Sequence, residues 1–295
     1  MTSVDDAARA RYTQPGRMTA AGRFAGQLGD LPADVRRLTS VGHGLLIHEH
    51  IAGAYGVTLA PDNQATVHVR PIERILEQVV ARDDRPLDVP RDADQRTGAN
   101  CRHYTVFLVS ALRTQGTPAR ARCGFGNYFG NGLWEDHWVA EYWNAPQQRW
   151  ILVDGQIDDR QLELFDVDFD LTDVPRDRFR VAGDAWRLCR SGVDSPDRYG
   201  LSVINESGLW WIAGNLMRDA AALLNIELLP WDVWGAMPAP FEEIDEDNAR
   251  LFDQLAELTA TPDVDVAALE RLCHDDRLRV PAAVRNALRQ CDEPV

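Results

Sequence analysis

The sequence predicts an α+β fold. A strongly periodic helix over residues 101–114 stands near the middle of the chain, and three short segments of strand character follow it. Those segments succeed one another across turns, which suits an antiparallel sheet rather than a doubly wound parallel one. The 295 residues are ample for a hydrophobic core, and 45% hydrophobic with 26% charged residues is ordinary for a globular protein.

From Val41 to Tyr55 the apolar residues Leu46, Ile47, Ile51 and Ala54 recur with His50 at helical spacing, which predicts a partly buried helix. A second helix is expected at Ile72–Ala81, with Ile72, Ile75, Leu76, Val79 and Val80 as its stripe. Residues 83–98 are polar, hold Pro86 and Pro90, and read as a loop. Tyr104, Phe107, Leu108, Ala111 and Leu112 then define the central helix, which Gly116 and Pro118 close. Ala119–Phe125, Asp136–Trp143 and Arg149–Asp154 read as strands, with a glycine- and asparagine-rich loop over 124–132. Further on, helices are expected at Val181–Cys189, Leu209–Leu224, Phe241–Leu258, Val266–Cys273 and Ala282–Cys291.

Composition narrows the function. A formal net charge of −15 argues against general affinity for nucleic acid or anionic membrane, and no apolar run is long enough to span a bilayer. The opening Met1-Thr2-Ser3-Val4-Asp5-Asp6 lacks a cationic stretch followed by an apolar one, so no secretory signal is expected. The five cysteines are scattered and contain no CxxC pair. A disulfide framework and a zinc site are therefore not expected, a reducing cytoplasm is the natural compartment, and no cofactor is anticipated.

The chemistry concentrates between Asn100 and Asp154. Cys101 opens the central helix, where unpaired amides and the positive end of the helix dipole stabilise a thiolate. His137 follows 36 residues later on a strand, and Asp154 a further 17 residues on, at the end of the next strand. Adjacent antiparallel strands can set an imidazole beside a carboxylate, and a helix start packed on the sheet can supply the thiolate. The candidate triad is therefore Cys101 as nucleophile, His137 as general base and acid, and Asp154 as orienter; Asp158 and Asp159 stand next in line if the strand is shorter.

These residues carry a resemblance. Gly98-Ala99-Asn100-Cys101-Arg102-His103-Tyr104, Leu112-Arg113-Thr114-Gln115-Gly116-Thr117-Pro118-Ala119-Arg120, Asp136-His137-Trp138-Val139-Ala140-Glu141 and Trp150-Ile151-Leu152-Val153-Asp154 together resemble the transglutaminase-like superfamily of cysteine enzymes. The resemblance covers roughly 60 residues and implies a papain-like α+β core with Cys101, His137 and Asp154 as its triad. It implies attack on an amide or ester carbonyl through a Cys101 thioester, completed by water or by an amine. The family also contains inactive members, so a non-catalytic scaffold or binding module is the alternative. The expected partner is a small-molecule or peptide-like amide, and the expected organisation is a helical region over 1–70, a catalytic core over 71–165, and a mostly helical region over 166–295 that covers the cleft.

Plainer readings apply elsewhere. Cys123, Cys189, Cys273 and Cys291 read as small apolar fillers. His103, two residues beyond Cys101 on a helix, points away from it and reads as structural. His48 and His50 flank Glu49 at a spacing poor for joint metal ligation. Glu135-Asp136 reads as a solvated turn, and the tryptophans, Trp210, Trp211, Trp231 and Trp234 among them, as core residues before an aromatic wall. Asn215, Arg218 and Asp219 interrupt an otherwise apolar helix.

Overall fold

The computed structural model describes residues 9–260 and 263–295. The fold is α+β, and the chain divides into two compact units, each drawn from separated stretches: residues 9–121 with 138–174, and residues 122–137 with 175–295.

The first unit begins with helices α1 (Ala25–Gly29) and α2 (Val35–Leu45). Asp34 caps α2, its carboxylate accepting the Arg37 N–H at 2.9 Å. The helix expected over 41–55 stops at Leu45. Leu46–His48 instead forms strand β1, which pairs in parallel with β2 (Thr97–Ala99), and Ala52–Tyr55 is a single 3₁₀ turn. Buried parallel strands read as continuous apolar runs, and Leu46-Ile47 satisfies that pattern as well as a helical one. Helix α3 (Ile72–Arg82) buries Ile72, Ile75, Leu76 and Val79, as its stripe predicts. The loop after it is gathered by one guanidinium: Arg91 donates to the carbonyls of Asp83, Arg85, Pro86 and Val89.

Helix α4 (Cys101–Thr114) is buried from Cys101 through Arg113, well beyond the predicted stripe. Its polar side chains are therefore partnered: Arg102 donates to the Arg70 carbonyl at 2.7 Å, Ser110 to the Thr19 carbonyl at 2.7 Å, and Arg113 to the Ala119 carbonyl at 2.7 Å. The helix ends at Gln115, and Gly116 takes φ +81°, a left-handed conformation that glycine adopts without penalty. Strand β3 (Ala119–Gly126) follows, then β4 (Trp134–Asn144), β5 (Arg149–Val153) and helix α5 (Asp159–Phe165). β4 and β5 form an antiparallel hairpin in the register Ala140 to Val153 through Asn144 to Arg149. Arg120 on β3 meets Glu141 on β4 at 2.7 Å, with both side chains buried and the guanidinium stacked 4.1 Å from the Trp150 ring centre.

The second unit adds β6 (Phe179–Val181), α6 (Ala182–Arg190), β7 (Tyr199–Leu201), β8 (Glu206–Ser207), α7 (Leu209–Leu223), β9 (Asp232–Val233), α8 (Glu246–Thr259), α9 (Val266–Leu272), β10 (Ala283–Asn286) and β11 (Cys291–Pro294). The main sheet has the order β6-β3-β4-β7-β8, with β5 also paired to β4, and the division between units falls within β3 and β4. Arg122 and Asp219 form a fully buried two-point ion pair at 3.0 and 2.8 Å; Asp219 also accepts the Cys123 N–H, and Arg122 donates to the Thr259 carbonyl.

Two expectations fail in this unit. Helix α8 starts at Glu246, because Asp245 caps it and Phe241 sits at φ +63°, outside helical space. The helix expected at Ala282–Cys291 is instead the hairpin β10–β11, which also pairs with β9. Burial of Val284 and Asn286 alone follows a period of two, Asn286 accepts the Arg289 N–H at 3.0 Å, and Gln290 adopts φ +54°, all turn chemistry. Among the described residues no helix is long and apolar enough to cross a membrane.

Candidate active site

Cys101 is the first residue of α4, one position beyond Asn100, whose extended backbone (φ −124°) turns the chain from β2 into the helix. The sulfur-bearing residue thus sits where the first helical amides have no intrahelical acceptor and the end of the helix dipole is positive. It retains 7% exposure. His103 does not serve the sulfur: its Nδ1 lies 2.8 Å from Asn100 Oδ1, closing the helix start. Full burial, aided by the Arg102 charge, holds its pKa well below the ordinary value, so the ring is neutral.

Asp154 lies one residue beyond β5, in the same unit as Cys101, and is 1% exposed. Its carboxylate accepts the backbone N–H groups of Gln156 at 2.8 Å and Ile157 at 3.3 Å, so the turn that follows the strand also fixes the acid. Gly155 packs on α4, where a Cβ would meet the Tyr104 carbonyl at 3.5 Å; the segment bearing the acid therefore lies against the first turn of the helix bearing the sulfur. Asp158 and Asp159 have other duties. Asp158 accepts the Tyr55 hydroxyl at 2.7 Å and caps α5 through the Gln161 N–H, while Asp159 is exposed in that helix's first turn.

His137 is on β4 in the second unit, 2% exposed. Aromatic rings surround it edge-on: Phe129 at 5.0 Å, Tyr128 at 6.0 Å and Phe179 at 6.5 Å between centres. The flanking acids are not a solvated turn, contrary to expectation, because the chain here is already a strand. Glu135 is buried and accepts from Asn131 and from the Ser202 N–H at 2.9 Å. Asp136 accepts the Trp211 indole N–H at 2.7 Å; burial raises its pKa, against the pull of the Arg218 charge. Arg218 in turn donates to Asn215 at 3.1 Å, so two of the three polar residues of α7 gather behind the strand that carries His137, and the third, Asp219, holds Arg122.

His43 escaped the sequence reading. It is half-buried on α2, its basicity lowered by desolvation against the opposing charges of Asp158 and Asp154, and its Nε2 has no hydrogen-bond partner among the described residues. No local pattern signals it, because the groups it meets, among them Tyr104, Asp154 and Asp158, lie more than fifty residues along the chain. Cys189 and Cys273 are pushed up to about 12 by burial, and Cys123 is fully enclosed, which suits their reading as fillers; Cys291 is exposed. The indole of Trp234 is committed to the Leu278 carbonyl at 3.1 Å. Among the described residues no group of three or more His, Cys, Asp or Glu is arranged to hold a metal.

The described site is thus a helix that opens on a cysteine, followed by an antiparallel hairpin that ends in a carboxylate held by two backbone N–H groups, within an α+β fold. Residues 62–155 match the family model of the Transglutaminase-like superfamily, a span that contains Cys101, His137 and Asp154. A solved structure from Cytophaga hutchinsonii, described as "a Putative Cysteine Protease", is similar at 13% identity and a TM-score of 0.31. The similarity covers 58% of this chain and 44% of that one, so the chain spans less than half of that protein's length. None of the curated proteins compared with the chain matches it.

Proposed function

We propose that this chain is a cysteine-dependent acyl-transfer enzyme in which Cys101, His137 and Asp154 act as nucleophile, general base and acid, and orienter. The observation that carries the reading is the placement of Cys101 at the head of the buried helix α4, with the Asp154 turn packed on that helix, inside the span matched by the family. Strand order supports the third member: β4 carries His137, and three residues further on its Ala140 pairs with Val153, the neighbour of Asp154. The occupation of Asp158 by Tyr55 and by the α5 cap favours Asp154 as the orienter.

The Cys101 thiolate attacks the carbonyl carbon of an amide or ester, and negative charge moves to the carbonyl oxygen, with the Cys101 N–H as one donor to it. His137, holding the thiol proton, gives it to the leaving group as the bond to that group breaks, leaving a Cys101 thioester. Water, deprotonated by the same imidazole, releases the acid; an amine in its place yields a new amide. The substrate is a small or peptide-like acyl compound, residues 71–165 supply the catalytic core, and the free cysteines suit a reducing cytoplasm.

The test is alkylation. At mildly acidic pH, iodoacetamide modifies Cys101 well ahead of fully enclosed Cys123, of Cys189 and Cys273, whose thiols are pushed up to about 12, and of exposed Cys291, which lacks a helix start. Equal labelling of Cys101 and Cys291 at that pH rejects the activated nucleophile. Incubation with an amide and a primary amine, read by mass spectrometry, then separates hydrolysis from transfer.

A further inference from the structure

His43 has no task in the acyl-transfer reading, yet it lies in the same unit as Asp154 and against the same turn. It stands in Gly42-His43-Gly44 on α2, and both glycines bring the helix close to its neighbours. A Cβ at Gly42 would meet the Phe107 ring of α4 at 3.2 Å, and one at Gly44 would meet Pro90 at 3.0 Å. The imidazole between them lies 6.3 Å from the Tyr104 ring, centre to centre, and Gly155 packs on the same tyrosine. His43 hydrogen-bonds the Gly155 backbone. Its Nε2 is buried without a hydrogen-bond partner among the described residues, which leaves Nδ1 for that bond. Desolvation keeps the ring neutral against the charges of Asp158 and Asp154, so its single N–H goes to the Gly155 carbonyl.

The Gly155 carbonyl and the Gln156 N–H belong to one planar peptide group and point in opposite directions across it. That Gln156 N–H is the donor that holds the Asp154 carboxylate, at 2.8 Å. A grip on the carbonyl end of the plane therefore sets the direction of the N–H end. The backbone before the plane is tied separately, the Asp154 N–H to the Leu171 carbonyl at 2.9 Å, so what His43 governs is the turn beyond the strand. We propose that His43 is a positioning residue, which fixes the Asp154 carboxylate in its working orientation through the 155–156 peptide. This rests on Asp154 being the orienter. His43 acts on the reaction through Asp154 and touches no reacting atom.

Hydrolysis of S-phenyl thioacetate, read as thiol released, tests this, with Cys101→Ser as the control for dependence on the nucleophile. His43→Leu keeps bulk and removes the N–H. It lowers kcat about tenfold and leaves KM nearly unchanged, the scale of a small misplacement of a catalytic group. His43→Asn, whose Nδ2 takes the place of Nδ1, retains most of the wild-type kcat. In an Asp154→Asn chain there is no carboxylate to orient, and His43→Leu lowers kcat by less than about twofold. Loss of folded protein would lower kcat equally in both backgrounds, so the coupling separates positioning from stability. An unchanged kcat in His43→Leu, a loss that persists undiminished in the Asp154→Asn chain, or no rescue by His43→Asn overturns the positioning role, while Cys101-dependent turnover leaves the active-site reading standing. Absence of any Cys101-dependent turnover removes that reading, and the positioning role falls with it.

Discussion

Replacing Asp154 by Asn separates the part this side chain plays in the turn from its proposed part in catalysis. The turn after β5 needs an acceptor for the Gln156 and Ile157 N–H groups, at 2.8 and 3.3 Å, and a carboxamide oxygen supplies one. Asp154→Asn should therefore cost stability no more than about 1 kcal/mol, the difference between a charged and a neutral acceptor. Asp154→Ala, which leaves both amides without their acceptor at a buried position, should cost about 1–3 kcal/mol. The catalytic consequences are reversed in emphasis. An amide donates where the carboxylate accepts, which favours the wrong imidazole tautomer and removes the charge that stabilises the imidazolium, so kcat should fall by roughly a thousandfold or more in the Asn variant. Urea unfolding measures the first effect, and hydrolysis of an activated thioester at neutral pH the second. An Asn variant within about threefold of wild-type kcat would refute Asp154 as orienter. An Asn variant as unstable as the Ala variant would refute the account of the turn.

Other outcomes are equally specific. Asp219→Ala leaves Arg122 buried without its carboxylate and the Cys123 N–H without its acceptor, and should cost about 3–5 kcal/mol by urea unfolding; Arg122→Met with Asp219→Leu should recover much of that loss, and no recovery would count against the pair as the cause. Glu49 is raised to about 7 by burial, so the folded chain holds a proton that the unfolded chain releases near its ordinary value of 4.5. Between those values the folded state binds more protons, so stability falls as pH rises from about 4.5 to about 7 and is level above. Glu49→Gln should flatten that slope in denaturation curves taken at pH 5 and pH 7, and an unchanged slope would assign it to another group.

The sequence displayed helix α4 to within its end residues because its apolar spacing, its glycine stop and the proline beyond it agree. The strands were visible because their apolar residues alternate, but the reason for Arg120 and Arg122 among them was not. Each guanidinium is neutralised by a partner 21 or 97 positions away, Glu141 or Asp219, and nothing local announces such a partner. The same limit hid β1, since Leu46–His48 becomes a strand through Thr97–Ala99, about fifty residues on, while its own spacing fits a helix. At the site, order and spacing alone put forward Cys101, His137 and Asp154 as the candidates. The Asp154 turn, the rings about His137 and the presence of His43 come from folding-back of chain that no periodicity encodes.

Helix α4 is enclosed from its first residue to its penultimate one, and that ties the Cys101 sulfur to a continuously buried stretch of its unit. Fraying, which ordinarily begins at a helix end, has no solvent-facing residue to start from at the end that carries Cys101. The chain can therefore tolerate local opening of its loops without disturbing Cys101, and the sulfur loses its helix-start environment only when the unit as a whole comes apart.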